Sequence, residues 1–275
     1  MCGSPPRWLE DRLQRCGGSV SFATFMQWAL HDPEHGYYGA GRARIGTAGD
    51  FTTSPSMGSE FSGLLLPQLS EWLEQISCDA LALLEAGPGE GQLASQLAKG
   101  LARQRPDLAA RTELVLLEPN PGMASLQQGA LAGCPLQARW ASWDGLRLAP
   151  CSGVVIAHEV LDALAVERVL WDGLQWRWQH VALQGDRLGL VEGPKVDSEA
   201  LAELSRWIPL GSERPPGWCT EVHTGLLPWF QACANALQDG VLLVVDYALE
   251  ARRYYAHSRA NGTLMAYRQQ RASRA

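Results

Sequence analysis

A cluster of glycines follows a short apolar run and has the form of a cofactor-binding loop. Residues 85–91 read EAGPGEG, directly after the apolar run at 80–84. Glycines at the end of a strand let the chain turn sharply, so that backbone N–H groups approach a ligand at the start of the next helix. A dinucleotide site requires G-x-G-x-x-G, whereas the glycines here stand at 87, 89 and 91 and position 92 is Gln. The spacing therefore disfavours a nicotinamide cofactor, although an ordinary glycine-rich turn stays open.

Glu118 supplies a carboxylate at the end of the next apolar run, 27 positions beyond Gly91. Nucleotide-binding folds place a carboxylate there, because its oxygens can accept hydrogen bonds from both vicinal hydroxyls of a ribose. Alone, a glutamate before Pro-Asn-Pro is a solvated loop acid. One strand after a glycine loop, it is better interpreted as a ribose ligand.

The elements that must position these residues alternate as strands and helices. Apolar runs predict strands at 80–84, 113–117, 136–140, 153–157 and 241–245, with helical stretches between them. Each run is short and uninterrupted, as expected of strands covered on both faces. The alternation predicts an α/β fold with a doubly wound, Rossmann-like parallel sheet.

Two segments depart from this alternation. Hairpin turn signals within 166–193 predict an antiparallel meander, with strands at 166–171, 175–182 and 187–191, inserted after the fourth strand. Turn-forming residues dominate 32–59, and the aromatic side chains among them favour an ordered functional loop over a linker.

Composition excludes several classes of protein. The net charge of −6 argues against general nucleic-acid affinity. The apolar runs are far shorter than the roughly 18–20 residues that a membrane-spanning helix requires. Seven scattered cysteines without a Cys-x-x-Cys pair, and an N-terminus without an apolar core, predict reduced thiols and a cytoplasmic location. His31 and His35 lack further ligands nearby, so no metal site is expected.

Four segments, taken in order, carry a resemblance to a known family. They are FMxxALxxPxxGYY at 25–38, GDFxTSP at 49–55, ExGPGxG at 85–91 and ExxDAL at 159–164. Together they resemble the MidA-type class I S-adenosylmethionine-dependent methyltransferases, whose mitochondrial relative dimethylates an arginine of a respiratory complex I subunit. The segment GTLxxYRQxR at 262–271 is also similar to one in this family.

The resemblance implies S-adenosylmethionine as the cofactor and a protein arginine as the acceptor. The cofactor-binding residues it implies are Glu85, Gly87, Pro88, Gly89, Gly91 and Glu118. The loop at 36–59 would cover the cofactor and exclude water, with Asp50, Thr53 and Ser54 facing its amino and carboxylate ends. Turn and helix capping is the alternative interpretation of these three side chains.

Glu159 and Asp162 follow the fourth predicted strand, where such enzymes approach their acceptor. Three positions apart, the two acids would share one face of a helical turn. Carboxylates that grip a guanidinium through its N–H fork orient it and draw positive charge away from the attacking nitrogen. We therefore expect them to be catalytic, with a capping or surface pair as the alternative. His158 could take a proton, but a single histidine at a strand end more often packs.

The sequence departs from the family at its C-terminal end and at a few positions. Position 158 is His where the family usually has Asn, position 165 is Ala where it has Pro, and position 96 is Gln where Asp is common. Family members continue well past the 262–271 segment and end their sheet with an antiparallel strand pair. The chain is thus expected to be truncated, with an exposed edge at 241–245, low solubility and little activity.

The expected organisation divides the chain as follows. Residues 1–59 form N-terminal helices and the covering loop, 60–165 with 225–250 form the methyltransferase sheet, 166–224 form the inserted meander and helix, and 251–275 form an incomplete tail. A non-catalytic assembly factor with this fold is the main alternative function, and a nicotinamide-dependent oxidoreductase is a weaker one. The oligomeric state is not predicted.

Overall fold

The computed structural model describes residues 4–208 and 214–274. Its helices are α1 Arg7–Arg15, α2 Phe22–His31, α3 Ser54–Met57, α4 Glu60–Gln75, α5 Gln92–Gln104, α6 Pro106–Ala109, α7 Pro121–Ala130, α8 Trp143–Leu148, α9 Ser198–Leu204, α10 Leu226–Ala236 and α11 Ala251–Tyr254. Its strands are β1 Ser19–Ser21, β2 Leu81–Ala86, β3 Thr112–Leu117, β4 Ala138–Ala141, β5 Cys151–His158, β6 Glu167–Trp171, β7 Trp176–Gln184, β8 Arg187–Lys195, β9 Cys219–Val222, β10 Leu237–Val245, β11 Met265–Arg268 and β12 Arg271–Arg274. None of the described helices is both long and apolar enough to cross a membrane.

The main sheet is parallel, in the strand order β10-β5-β2-β3-β4, which confirms the predicted doubly wound α/β fold. Alternate residues of β2 point to opposite faces. Leu81 and Leu83 pack with α4 and α5, whereas Ala82 and Leu84 pack in a cluster that includes side chains of α8 and α10. Because all five strands are parallel, the carboxyl ends of β2, β3, β5 and β10 meet at one edge of the sheet.

The second sheet is antiparallel and contains the predicted meander β6-β7-β8. Two short strands that the sequence analysis missed extend it, since β1 pairs with β7 and β9 pairs with β6. The N-terminal segment was predicted as helices and a loop only. Three- and four-residue strands carry too little alternation to be seen in a sequence, and their pairing with distant strands defines them.

A buried ion pair lies inside this second sheet. The Arg168 guanidinium contacts the Glu221 carboxylate and also donates to the Gln179 side-chain oxygen at 2.7 Å. The second Glu221 oxygen accepts from the Thr263 backbone N–H at 2.8 Å. The segment at 262–271, which carries part of the family resemblance, is thereby tied to the inserted sheet.

The strand predicted at 241–245 begins earlier than expected. Helix α10 ends at Ala236 and β10 begins at once, with a register shift between Leu237 and Asp239. Gly240 pairs with Gly153 of β5, where a Cβ would collide with the neighbouring backbone. The C-terminal tail contains α11 and the β11–β12 hairpin.

Candidate active site

The glycine loop lies between β2 and α5, as predicted, and its three glycines have positive φ angles. The angles are 63° at Gly87, 53° at Gly89 and 85° at Gly91. A Cβ at Gly87 would lie 2.8 Å from a methyl carbon of Val160, and Gly91 caps α5 in the left-handed conformation. The Pro88 carbonyl accepts from the Gly91 N–H at 2.8 Å. The loop is therefore a backbone cradle that side chains would fill, as a closely bound ligand requires.

Glu85 is buried on β2, beneath the start of α5. It accepts a hydrogen bond from the backbone N–H of Ala94, in the first turns of that helix, and its Oε2 has no partner among the described residues. Burial raises the pKa of Glu85 to about 8. The side chain is therefore mostly neutral at pH 7, and it holds the helix that follows the loop.

Glu118 directly follows β3, and other side chains orient both of its oxygens. Oε1 accepts from the backbone and side-chain N–H groups of Asn120, both at 2.8 Å, and Oε2 accepts from the Gln127 amide at 2.9 Å. Burial raises the pKa of this carboxyl, while the three hydrogen bonds oppose the rise. Each carboxylate oxygen can accept more than one hydrogen bond, so Glu118 can still accept from a ribose.

Three carboxyl groups lie at the ends of the adjacent strands β5 and β10. Glu159 has a φ of 52°, unusual for a non-glycine residue, and its N–H donates to the Val245 carbonyl at 2.9 Å. Burial, Asp246 and Glu159 together raise the pKa of Asp162 to about 6. The structure thus brings Glu159 and Asp162 close enough to interact electrostatically.

Asp246 orders the turn that carries these two acids. Its Oδ2 accepts from the backbone N–H groups of Val160 and Leu161, at 3.0 and 2.8 Å. These contacts make Asp246 a cap of the turn.

His158 is almost fully buried and packs on the Phe61 ring, with 4.7 Å between the ring centroids. Burial lowers its pKa, so the ring is neutral at pH 7 and its 3.9 Å approach to Glu159 is not an ion pair. The packing interpretation of this histidine fits these contacts.

His31 and Tyr38 join the two halves of the site, a role that the sequence analysis did not assign. One ring nitrogen of His31 lies 3.1 Å from the Asn120 side-chain oxygen and the other lies 3.4 Å from the Ala163 carbonyl. Tyr38 stacks on His31, with 5.9 Å between the ring centroids. Burial and the nearby charges of Asp162, Glu118 and Glu159 raise the pKa of Tyr38. Both residues lie within the segment 25–38. Its resemblance to the family is the signal in the sequence that could have identified them.

The covering loop reaches the glycine loop through Ile45. The Ile45 N–H donates to the Glu90 side chain at 3.3 Å, and its Cδ1 lies 3.3 Å from where a Cβ of Gly89 would stand. Both oxygens of Asp50 bind within the protein, since they accept from the Tyr37 hydroxyl at 2.9 Å and the Gln269 N–H at 3.0 Å. These hydrogen bonds lower the pKa of Asp50. Its contact with a cofactor stays a prediction.

Thr53 and Ser54 lie at the start of α3, which packs near α5. The Ser56 hydroxyl accepts from the Thr53 N–H at 3.0 Å and donates to the Thr53 carbonyl at 2.7 Å. The Gln96 amide of α5 donates to the Pro55 carbonyl at 2.9 Å. These contacts fit the capping alternative for the segment, and its contact with a cofactor also stays a prediction.

Sheet and site together define the class of the protein. A glycine loop follows the central strand, a carboxylate ends the next strand, and an acid pair ends the strand on the other side. The cradle and the oriented Glu118 fit the methionine and ribose parts of S-adenosylmethionine. This arrangement is that of a class I S-adenosylmethionine-dependent methyltransferase.

The comparison with protein families gives the same class. A family model described as S-adenosyl-L-methionine-dependent methyltransferase matches residues 64–275, and the chain belongs to this family. It is 27% identical over 250 residues to the mitochondrial protein arginine methyltransferase NDUFAF7 of Danio rerio, covering 84% of this chain and 58% of that relative. It is 30% identical over 200 residues to the Drosophila melanogaster homologue, covering 66% of this chain and 45% of that relative. The chain thus spans about half the length of these relatives.

A solved structure from Burkholderia thailandensis, bound to S-adenosyl-homocysteine, has a similar fold. It is 26% identical, with a TM-score of 0.80 over 98% of this chain and 68% of that one. A second solved structure from the same organism is 24% identical, has the same TM-score of 0.80 and supports the fold.

Proposed function

We propose that the chain transfers a methyl group from S-adenosylmethionine to a guanidine nitrogen of a protein arginine. The observation that carries the proposal is the junction of two half-sites, the glycine loop with Glu118 and the acid pair Glu159 and Asp162. His31 contacts both halves, through Asn120 and Ala163. The names of the fish and fly relatives and the ligand of the bacterial structure support it.

The first half-site suits the cofactor, which when bound supplies a methyl group on a positively charged sulfonium. Backbone groups of the glycine loop would hold the methionine part, and Glu118 would accept hydrogen bonds from the ribose hydroxyls. The loop that carries Ile45 packs against the glycine loop at Gly89 and would exclude water from the reacting atoms.

The second half-site suits a guanidinium. Glu159 and Asp162 would accept hydrogen bonds from two of its N–H groups, which orients the group and concentrates its positive charge away from the attacking nitrogen. Methylation of a guanidinium releases one proton. Asp162 would accept that proton, because burial and the neighbouring carboxylates raise its pKa to about 6, close to neutrality. Catalysis would otherwise rest on positioning.

A ligand panel followed by a transfer assay tests the proposal. We expect S-adenosylmethionine and S-adenosyl-homocysteine to raise the melting temperature and NAD to leave it unchanged. Labelled methyl groups should then appear in proteins of a cell lysate. Binding without transfer would favour the assembly-factor alternative, and stabilisation by NAD alone would favour an oxidoreductase.

The acceptor protein and the compartment belong to the proposal as well. A respiratory complex I-like subunit is the proposed partner, on the resemblance that the sequence carries. The fish and fly relatives are named as mitochondrial, whereas a cytoplasmic location stays a prediction from the cysteines and the N-terminal composition. Fractionation of cells that express a tagged chain decides between the two.

A further inference from the structure

The side chain of Gln127 connects three parts of the cofactor half-site. This residue of α7 is fully buried. Its amide nitrogen donates to the Gly89 carbonyl at 2.8 Å and to Glu118 Oε2 at 2.9 Å. Its amide oxygen accepts from the Trp140 ring N–H of β4 at 2.8 Å. Both amide hydrogens and the amide oxygen are therefore used.

The chemistry of the partners fixes the orientation of this amide. An indole N–H can only donate, so the Gln127 oxygen must face Trp140. A backbone carbonyl can only accept, so the nitrogen must face Gly89, and its second hydrogen is left for the Glu118 carboxylate. The flipped amide would place acceptor against acceptor at Gly89 and Glu118 and donor against donor at Trp140, so all three contacts would be lost.

The backbone of Gln127 also lies against the third glycine of the loop. A Cβ at Gly91 would stand 3.4 Å from the Gln127 Cα. The residue thus touches the loop at Gly89 and Gly91, and it holds the carboxylate that follows the neighbouring strand.

We propose that Gln127 is a positioning residue for the cofactor, an inference that rests on the proposed function. It holds the Glu118 carboxylate at a fixed distance from the Gly89 carbonyl, so that one ligand can engage the loop and the carboxylate together. Two donated hydrogens and one accepted hydrogen are required at the same place, and among the side chains only a primary amide supplies them. Its action on the ligand passes through Glu118 and the loop.

The test measures S-adenosyl-homocysteine binding by calorimetry, first with the unaltered chain. Absence of binding there would overturn the proposed function, whereas the results below bear on Gln127 itself. Gln127→Met keeps the length of the side chain and removes the three hydrogen bonds, so we expect the dissociation constant to rise about ten-fold or more. The control Trp140→Phe removes one hydrogen bond from Gln127 but leaves Gly89 and Glu118 bonded, and it should change the constant by less than about three-fold.

A double-mutant cycle separates positioning from a general effect on folding. If Gln127 acts through the carboxylate, Gln127→Met should weaken binding far less in a Glu118→Ala background than in the unaltered chain. Equal effects in both backgrounds, or unchanged binding by the folded Gln127→Met chain, would overturn the proposal.

Gln127→Glu keeps the inference testable if the methionine variant does not fold. The new side chain still accepts from Trp140, but when ionised it repels Glu118 and the Gly89 carbonyl. We expect its affinity, relative to the unaltered chain at the same pH, to recover as the pH falls and the new carboxyl becomes a donor. If the ratio of the two affinities, Gln127→Glu to unaltered chain, does not change with pH, the positioning role is contradicted.

Discussion

At the scale of single residues, the carboxyl groups around the site differ because their surroundings differ. Burial raises the pKa of Glu85 to about 8 and that of Asp162 to about 6, whereas hydrogen bonds from Gln269 and Tyr37 lower the pKa of Asp50. At pH 7 Glu85 is therefore mostly neutral, Asp162 titrates near neutrality beside the proposed acceptor, and Asp50 is an anion that anchors the covering loop. Proposed roles follow from these environments rather than from residue type.

Replacement of Asp162 by asparagine tests the acceptor half-site. Asp162 must be ionised to hold a guanidinium, so methyl transfer by the unaltered chain should fall as the pH drops through about 6. Asp162→Asn should transfer more slowly at every pH and lose that inflection. The measurement is the initial rate of label transfer across the pH range. The same inflection in both proteins would assign it to another group.

Replacement of Gly89 by valine tests the cradle. The backbone there has a φ of 53°, and a Cβ would approach Ile45. We expect Gly89→Val to abolish S-adenosyl-homocysteine binding, because a branched side chain would enter the space over the glycine loop that the ligand is proposed to occupy. Gly133 is a matched control, since it has a φ of 73° and nothing within 4 Å of a Cβ.

Both glycine variants should lose about 1–2 kcal/mol of stability, because a residue with a side chain is strained in the left-handed conformation. Gly133→Val should nevertheless bind S-adenosyl-homocysteine normally in calorimetry. A folded Gly89→Val chain with unchanged affinity would show that the ligand does not approach this glycine.

The sequence predicted those residues whose chemistry depends on their own local pattern. The glycines and Glu118 follow strands that could be recognised from short apolar runs. Gln127 and His31 could not be found in this way, because their partners are distant in sequence. Gln127 reaches Gly89 across 38 positions, and His31 reaches Asn120 across 89 positions. Only the folded chain brings such groups together.

At the scale of elements, the C-terminal hairpin β11–β12 holds the covering loop. Its turn residues Gln269 and Gln270 have φ angles of 50° and 61°, which glycine or asparagine would adopt more easily. The Gln270 amide donates to the carbonyls of Gly46 and Gly49, at 3.0 and 3.2 Å, and its oxygen accepts from Thr52 at 3.0 Å. The side-chain contacts thus offset an unfavourable turn, which explains how a hairpin forms here without the usual Gly or Asn turn residues.

Loss of these contacts should loosen the loop over the cofactor site. We expect Gln270→Ala to increase amide hydrogen exchange in residues 44–52 by about ten-fold and to speed the dissociation of S-adenosyl-homocysteine. The control is Ser273→Ala in the same hairpin, because the Ser273 hydroxyl donates to the Ala266 carbonyl within the hairpin, at 3.5 Å. Unchanged exchange in the Gln270 variant would mean that the hairpin does not restrain the loop.

At the scale of the whole molecule, the sequence predicted the architecture and missed how its parts are joined. Both sheets were recognised, because buried parallel strands and hairpin turns each leave a distinct pattern. The link from Thr263 to the buried Glu221, and the pairing of β1 with β7, left none. Such contacts join segments that are distant in sequence, and packing selects them.

Global stability should depend on pH through Glu85. Its pKa is higher in the folded chain than the ordinary value of 4.5, so its stabilising contribution is fully present below that pH and is lost as the pH rises through about 8. The melting temperature of the unaltered chain should fall more steeply between about pH 5 and about pH 9 than that of Glu85→Gln. If the melting temperatures of the two proteins change with pH in the same way, Glu85 does not titrate in this range.

The chemical identity of the methylated residue tests the central claim most directly. The protein is incubated with S-adenosylmethionine carrying a labelled methyl group and with a protein extract, and the products are hydrolysed and separated as amino acids. The two half-sites predict label in methylarginine, and Glu159→Gln should remove most of it because one arm of the guanidinium grip is lost. Label in methyllysine or in carboxyl esters, or methylarginine that persists unchanged in the Glu159→Gln protein, would contradict the assignment of this site.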